Sequence, residues 1–173
     1  MRKSSIPNIF TFANLGFGVL SLLATYNNNY SFAAIFIIIA GLVDRYDGRI
    51  ARFLQVSSEL GKELDSLADL VSFGVAPAFL TFVMYDFQNL GPVGLIGYML
   101  VIIFPVCGAF RLARYNLSTF DGVFTGIPIT IAGSVIALFD LITVNSPSAQ
   151  IIPIIFMIAL SYLMISTFKL KKL

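Results

Sequence analysis

Six stretches of about 20 mainly apolar residues follow one another along the chain, at roughly 9–26, 31–53, 60–85, 91–115, 126–145 and 149–168, and each is long enough for a helix to cross a bilayer. The breaks between them carry turn chemistry: Asn27-Asn28-Asn29, the region of Ser57 and Ser58, Asp86 to Gly91, Asn116 to Thr125 with Gly122, and Asn145-Ser146-Pro147. The pattern predicts an all-α integral membrane protein, a six-transmembrane-helix bundle. No break is long enough for a second domain, so residues 1–173 are expected to form a single membrane domain. Composition agrees: 58% of residues are hydrophobic and 12% charged, against roughly 45–50% and about 25% in soluble domains.

Charge sets the expected orientation. In a six-span arrangement Arg2, Lys3, Arg45, Arg49, Arg52, Lys62, Arg111, Arg114, Lys169, Lys171 and Lys172 all fall on one side, which the positive-inside rule makes the cytoplasm. The opposite turns, Tyr26 to Tyr30, Tyr85 to Gly91 and Val144 to Ala149, contain no Lys or Arg, and Tyr26, Tyr30 and Tyr85 stand where an interfacial aromatic belt is expected. Both termini are therefore expected to be cytoplasmic. Arg2-Lys3 before an apolar run imitates a signal peptide, but no A-x-A-like site follows, and an uncleaved first span is expected. Asn116-Leu117-Ser118 fits the glycosylation pattern on the wrong side of the membrane and is read as a chance match. A net charge of +2 is too small to suggest nucleic acid. The chain has no His, no Trp and one Cys, which excludes an imidazole base, a His- or Cys-ligated zinc site and an internal disulfide.

Carboxylates and other oxygens remain, and four acids lie between Asp44 and Asp69 beside or inside apolar helices. An Asp at mid-helix in lipid costs roughly 2.5–3.5 kcal/mol, so four uncompensated ones would cost on the order of 10–14 kcal/mol. Asp44 and Asp47 are three apart and Asp65 and Asp69 four apart, so each pair shares a helix face. With a turn near Ser57 and Ser58 the two helices are antiparallel neighbours and both pairs reach the same depth, in the cytoplasmic third of the bilayer. Hard divalent cations prefer such oxygens, and two of them, Mg²⁺ or Mn²⁺, would balance four negative charges. Gly48 and Ala51 leave the helix bare where a bulky group could approach, Arg52 offers a planar cation to phosphate oxygens, and Gly61 permits close approach at the second helix. For Gly48, helix packing is an equal explanation.

The stretch Asp44-x2-Asp47-Gly48-x2-Ala51-Arg52-x8-Gly61-x3-Asp65-x3-Asp69 resembles, at every fixed position and spacing, the signature of the CDP-alcohol phosphatidyltransferases. The run from Asp65 to Pro77, the run from Cys107 to Asn116, and Phe124-Thr125-Gly126-Ile127-Pro128 are similar to the phosphatidylserine synthase branch of that family, and Pro7-Asn8 and Thr11 to its amino-terminal element. The resemblance implies attack of the serine hydroxyl on the β-phosphate of a CDP-diacylglycerol, with release of CMP. It implies that Asp44, Asp47 and Asp65 bind metals and that Asp69 contacts the second metal and accepts the serine proton. Asn8, Thr11, Gly48, Ala51, Arg52 and Gly61 would then line the CDP-lipid site. It further implies a homodimer, while the side given by the basic residues puts the active site at the cytoplasmic face of the cell membrane. Arg111 and Arg114, at i and i+3, are candidates for the serine carboxylate or a phosphate, and Asn116 for a neutral hydrogen bond.

Other readings stand beside these. A sister transferase would use glycerol 3-phosphate or inositol phosphate as acceptor, and four inward acids in a bilayer also fit a cation or proton carrier. Arg111 and Arg114 also fit positive-inside anchors that snorkel to the surface. Arg45, Arg49 and Lys62 are expected to be solvated, Glu59 and Glu63 to be interfacial charges, and Cys107 to be a packed small residue. Asp140 has no partner legible in the sequence.

Overall fold

The computed structural model describes residues 5–54, 58–117, 123–145, 150–167 and 169–171; for 5–7, 47–54, 123–125 and 169–171 the description is of the backbone alone. Among the described residues six helical rods carry the fold. The first two are α1 (Ser5–Tyr26) and α2 (Tyr30–Leu54). The third joins α3 (Glu59–Asp69), a π-helical turn (Leu70–Val75) and α4 (Ala76–Met84). The last three are α5 (Leu95–Leu117), α6 (Ile129–Thr143) and α7 (Ile151–Ile165). Asn8–Tyr26, Glu59–Met84 and Pro92–Leu117 are long and apolar enough to cross a membrane, and α6 and α7 are shorter apolar helices. The molecule is a membrane helical bundle. The large side chains it exposes, such as Ile102, Ile142, Ile155 and Tyr162, are the lipid-facing bulk that such a bundle requires.

Local chemistry sets where each rod begins and ends. Asn28 takes a left-handed φ of 58° between α1 and α2, and Ser58 caps α3 by accepting from the Gly61 N–H at 3.0 Å. Three expected spans come out shorter at their ends. Gly91, Val93 and Gly94 all have positive φ, so α5 starts at Leu95 rather than near 91. Gly126 has φ +73° and Pro128 is extended, so α6 starts at Ile129, and an extended Ser166 ends α7. At 1.5 Å per residue α6 and α7 are each about 22 Å long, under the roughly 30 Å of a hydrocarbon core. Val123–Thr125 (β1) pairs antiparallel with Lys169–Lys171 (β2), a short ribbon that the apolar pattern did not announce.

The π turn also departs from the expected continuous helix. Pro77 has no N–H to give to the carbonyl one turn back, and the backbone widens just before it. The wide turn is packed from two sides. A Cβ on Gly18 of α1 would stand 2.5 Å from Ser72 Oγ, and one on Gly133 of α6 would stand 2.3 Å from the Phe73 carbonyl oxygen. Small residues thus let α1 and α6 approach this segment's backbone. The buried face of α2, with Ala33, Ala34, Ile37 and Ala40 fully enclosed, follows the same rule. Asp140 of α6, which had no partner in the sequence, accepts a hydrogen bond from Thr81 of α4 at 2.8 Å. Beside it the Tyr85 hydroxyl meets Thr143, so the polar groups at this end join α4 to α6 rather than facing lipid.

Candidate metal and phosphate site

Burial deepens along α3. Ser58, Glu59 and Leu60 are exposed, Gly61 and Asp65 are half-buried, and Asp69, about 15 Å of helix rise beyond Glu59, is buried. Asp44, in the second half of α2, joins the two acids of α3: one carboxylate oxygen from each of Asp44, Asp65 and Asp69 lies within 4.8 Å of the others. The two acids four residues apart on α3 thus meet Asp44 of α2, while the expected partner of Asp44 three residues on, Asp47, has its side chain outside the described residues. Asp47, Gly48, Ala51 and Arg52 continue α2, and their side chains lie outside the described residues.

Two charges 4.8 Å apart repel by about 3 kcal/mol even at an effective dielectric near 20, a repulsion that a cation bound among the three carboxylates would offset. Their donors are all hard oxygens, the set that suits a divalent ion with oxygen preference. The trio could hold a metal ion.

Asp69 is held by neighbours that the sequence reading did not single out. Asn14 Nδ2 of α1 donates to Asp69 Oδ1 at 3.0 Å, and Thr130 Oγ1 of α6 lies 3.5 Å from Oδ2. Arg111 of α5, also buried, faces Asp69 electrostatically. Its guanidinium carbon lies 5.5 Å from the centre of the Tyr115 ring, and its buried Nε has no hydrogen-bond partner among the described residues. A fixed cation with an uncommitted N–H beside an acid cluster is suited to an anionic group that arrives from outside.

The remaining candidates divide. On α1, Asn8 reaches the mouth of α3, where its Oδ1 would lie 3.5 Å from a Cβ on Gly61, and Thr11 is buried on the same helix face. Arg114 is turned elsewhere: its terminal nitrogens donate to the carbonyls of Met164, Ile165 and Ser166, at 3.3, 2.8 and 3.3 Å, and so cap the end of α7. Asn116 donates to Ser66 Oγ at 2.9 Å and its carbonyl receives Lys62 Nζ at 3.1 Å, which ties the end of α5 to α3. Both are engaged in holding helix ends together, and the reason is geometric, since each lies beyond Arg111 toward the surface. Asn14 did carry a signal: Asn8, Thr11, Asn14, Gly18, Ser21 and Thr25 recur at helical spacing, a polar or small stripe on an otherwise apolar helix.

Comparison with known proteins adds ancestry to this geometry. The family described as CDP-alcohol phosphatidyltransferase matches residues 4–168. A CDP-diacylglycerol–serine O-phosphatidyltransferase from Helicobacter pylori strain J99 is 41% identical over 137 residues, covering 76% of this chain and 55% of the relative. One of the same name from Bacillus subtilis is 34% identical over 168 residues, covering 95% and 88%. An archaetidylserine synthase from Methanothermobacter thermautotrophicus is 37% identical over 169 residues, covering 94% and 68%. The chain thus spans about half the length of the Helicobacter relatives and most of the Bacillus one.

Proposed function

Because the chain belongs to the CDP-alcohol phosphatidyltransferase family, we propose that it transfers the phosphatidyl group of CDP-diacylglycerol to the hydroxyl of L-serine, giving phosphatidylserine and CMP. The observation that carries this reading is the convergence of Asp44, Asp65 and Asp69 beside the buried Arg111. Serine as acceptor is supported by its place in the names of the bacterial and archaeal relatives.

In this reading Asp44, Asp47, Asp65 and Asp69 hold two ions, Mg²⁺ or Mn²⁺. When bound, such ions draw charge from phosphate oxygens and stabilise the leaving group. Asn8, Thr11, Gly48, Ala51, Arg52 and Gly61 line the path of the CDP-lipid, with the small residues admitting its phosphates close to the helix backbone. Arg111 holds the serine carboxylate; Arg114 and Asn116 fix the walls around it. Asp69 takes the proton from the serine hydroxyl as that oxygen bonds to the β-phosphorus. The bond from this phosphorus to the bridging oxygen breaks, and CMP leaves with that oxygen. No imidazole is required. In this reading the site opens toward the end of the bundle that carries the basic residues Lys62 and Arg114, which the positive-inside rule makes the cytoplasmic face of the cell membrane. One domain acts as the unit, and family resemblance supports a homodimer.

The test sets serine, glycerol 3-phosphate and inositol phosphate side by side with CDP-diacylglycerol and a divalent ion, and measures CMP. Release with serine alone among the three is expected. Release only with another acceptor moves the chain to a sister activity, and cation flux in vesicles without CMP formation makes it a carrier.

A further inference from the structure

The Asp69 carboxylate ends α3 where the backbone widens into the π turn, and its two oxygens meet unequal surroundings. Oδ1 receives Asn14 Nδ2 at 3.0 Å, whereas Oδ2 has Thr130 Oγ1 at 3.5 Å, the outer limit of a hydrogen bond. The terminal torsion of an Asp is broad, so without a fixed donor the two oxygens would interchange freely. Asn14 is such a donor. It is 1% exposed, its own carbonyl receives Ser72 Oγ at 2.9 Å, and Gly18, one turn on, lets α1 lie directly against Ser72.

The orientation of the amide follows from its neighbour. Turned over, it would set an oxygen against a carboxylate oxygen, so Nδ2 faces Asp69 and Oδ1 is left buried with no partner among the described residues. A leucine has the same branched shape and would suit a lipid-embedded helix without leaving a buried acceptor unpaired. Packing therefore does not account for an amide here; its contact with the acid does.

We propose that Asn14 is a positioning residue for phosphatidyl transfer: it fixes Asp69 through Oδ1 and so leaves Oδ2 aimed at the hydroxyl that gives up its proton. The inference rests on the reading of Asp69 as proton acceptor. Misplacement of a reacting group by about 1 Å can cost on the order of 100-fold in rate, which sets the scale of the effect.

The test uses the full chain in lipid nanodiscs. Asn14→Leu keeps the branched shape and removes the donor, Asn14→Ala removes it without adding bulk and so guards against a folding defect, and Ser72→Ala loosens the same helix pair without touching Asp69. Both Asn14 variants are expected to lose about 10- to 100-fold in kcat while KM for CDP-diacylglycerol stays within about twofold, and Ser72→Ala is expected to keep its kcat. Unchanged kcat in both Asn14 variants, or a parallel loss in Ser72→Ala, would overturn the proposal. If the parent chain proves to use another acceptor, the reading of serine fails, and the same comparison of kcat with that acceptor still decides the role of Asn14. An infrared difference spectrum between the parent and Asp69→Asn, isotope-edited at Asp, isolates the Asp69 carboxylate stretch independently of turnover. A shift of that band in Asn14→Leu is expected, and an unmoved band overturns the proposal.

Discussion

Arg111 and Arg114 differ by three residues and by everything that matters for a charge. Arg111 is buried beside Asp69 with an uncommitted Nε; Arg114 spends its fork on the last carbonyls of α7. Arg111→Ala should raise KM for serine by at least about 10-fold, the scale of one lost charge-assisted contact, and leave KM for CDP-diacylglycerol nearly unchanged. Arg114→Ala should leave both constants alone and lower stability by about 0.5–1.5 kcal/mol, read as a fall in melting temperature. Equal effects on serine KM would return Arg114 to the site. Asp69→Asn keeps the shape and the Asn14 contact region but cannot take a proton. CMP release should fall by about 10²- to 10⁴-fold while CDP-lipid binding by equilibrium dialysis persists. The sequence places these side chains on helix faces; it does not say which of two arginines one turn apart turns inward, because that depends on what α7 offers to the outer one.

At the scale of elements, the third rod is an α-helix, a π turn and another α-helix rather than one continuous span, and its neighbours are built to fit the wide turn. Gly133 lies against the Phe73 carbonyl, where a Cβ would intrude to 2.3 Å of a backbone atom, whereas nothing lies within 4 Å of a Cβ on Gly16. Gly133→Ala should therefore destabilise the fold by about 1–3 kcal/mol, the range for overpacking a filled interior. Gly16→Ala should be neutral or stabilising by up to about 1 kcal/mol, since it only removes a flexible residue from a helix interior. Thermal unfolding of the two variants in one detergent separates them, and a common response would mean that the close approach of α6 is not real. Apolar run length made six rods legible, along with most of their limits. It missed the π turn and the late starts of α5 and α6, because those are decided by a single missing N–H at Pro77 and by left-handed backbone at Gly91, Gly94 and Gly126, not by hydrophobicity.

For the molecule as a whole, three carboxylates are brought within 4.8 Å of one another inside a bundle that exposes many large apolar side chains. Removing divalent ions should both stop CMP release and lower the melting temperature, and Mg²⁺ or Mn²⁺ should restore both. Full activity after exhaustive chelation would contradict the site, and loss of activity with an unchanged melting temperature would show that the acids are stable together without a cation. Sequence alone determined the solvent, the number of rods and the acid spacing, since lipid leaves the backbone few choices and helical periodicity puts residues three or four apart on one face. Tertiary structure alone decided that Asn14 and Thr130, from helices at opposite ends of the chain, flank Asp69, and that Arg111 rather than Arg114 stands with it. Such contacts join residues more than 40 positions apart, and periodicity along one helix carries no information about which face of another will meet it.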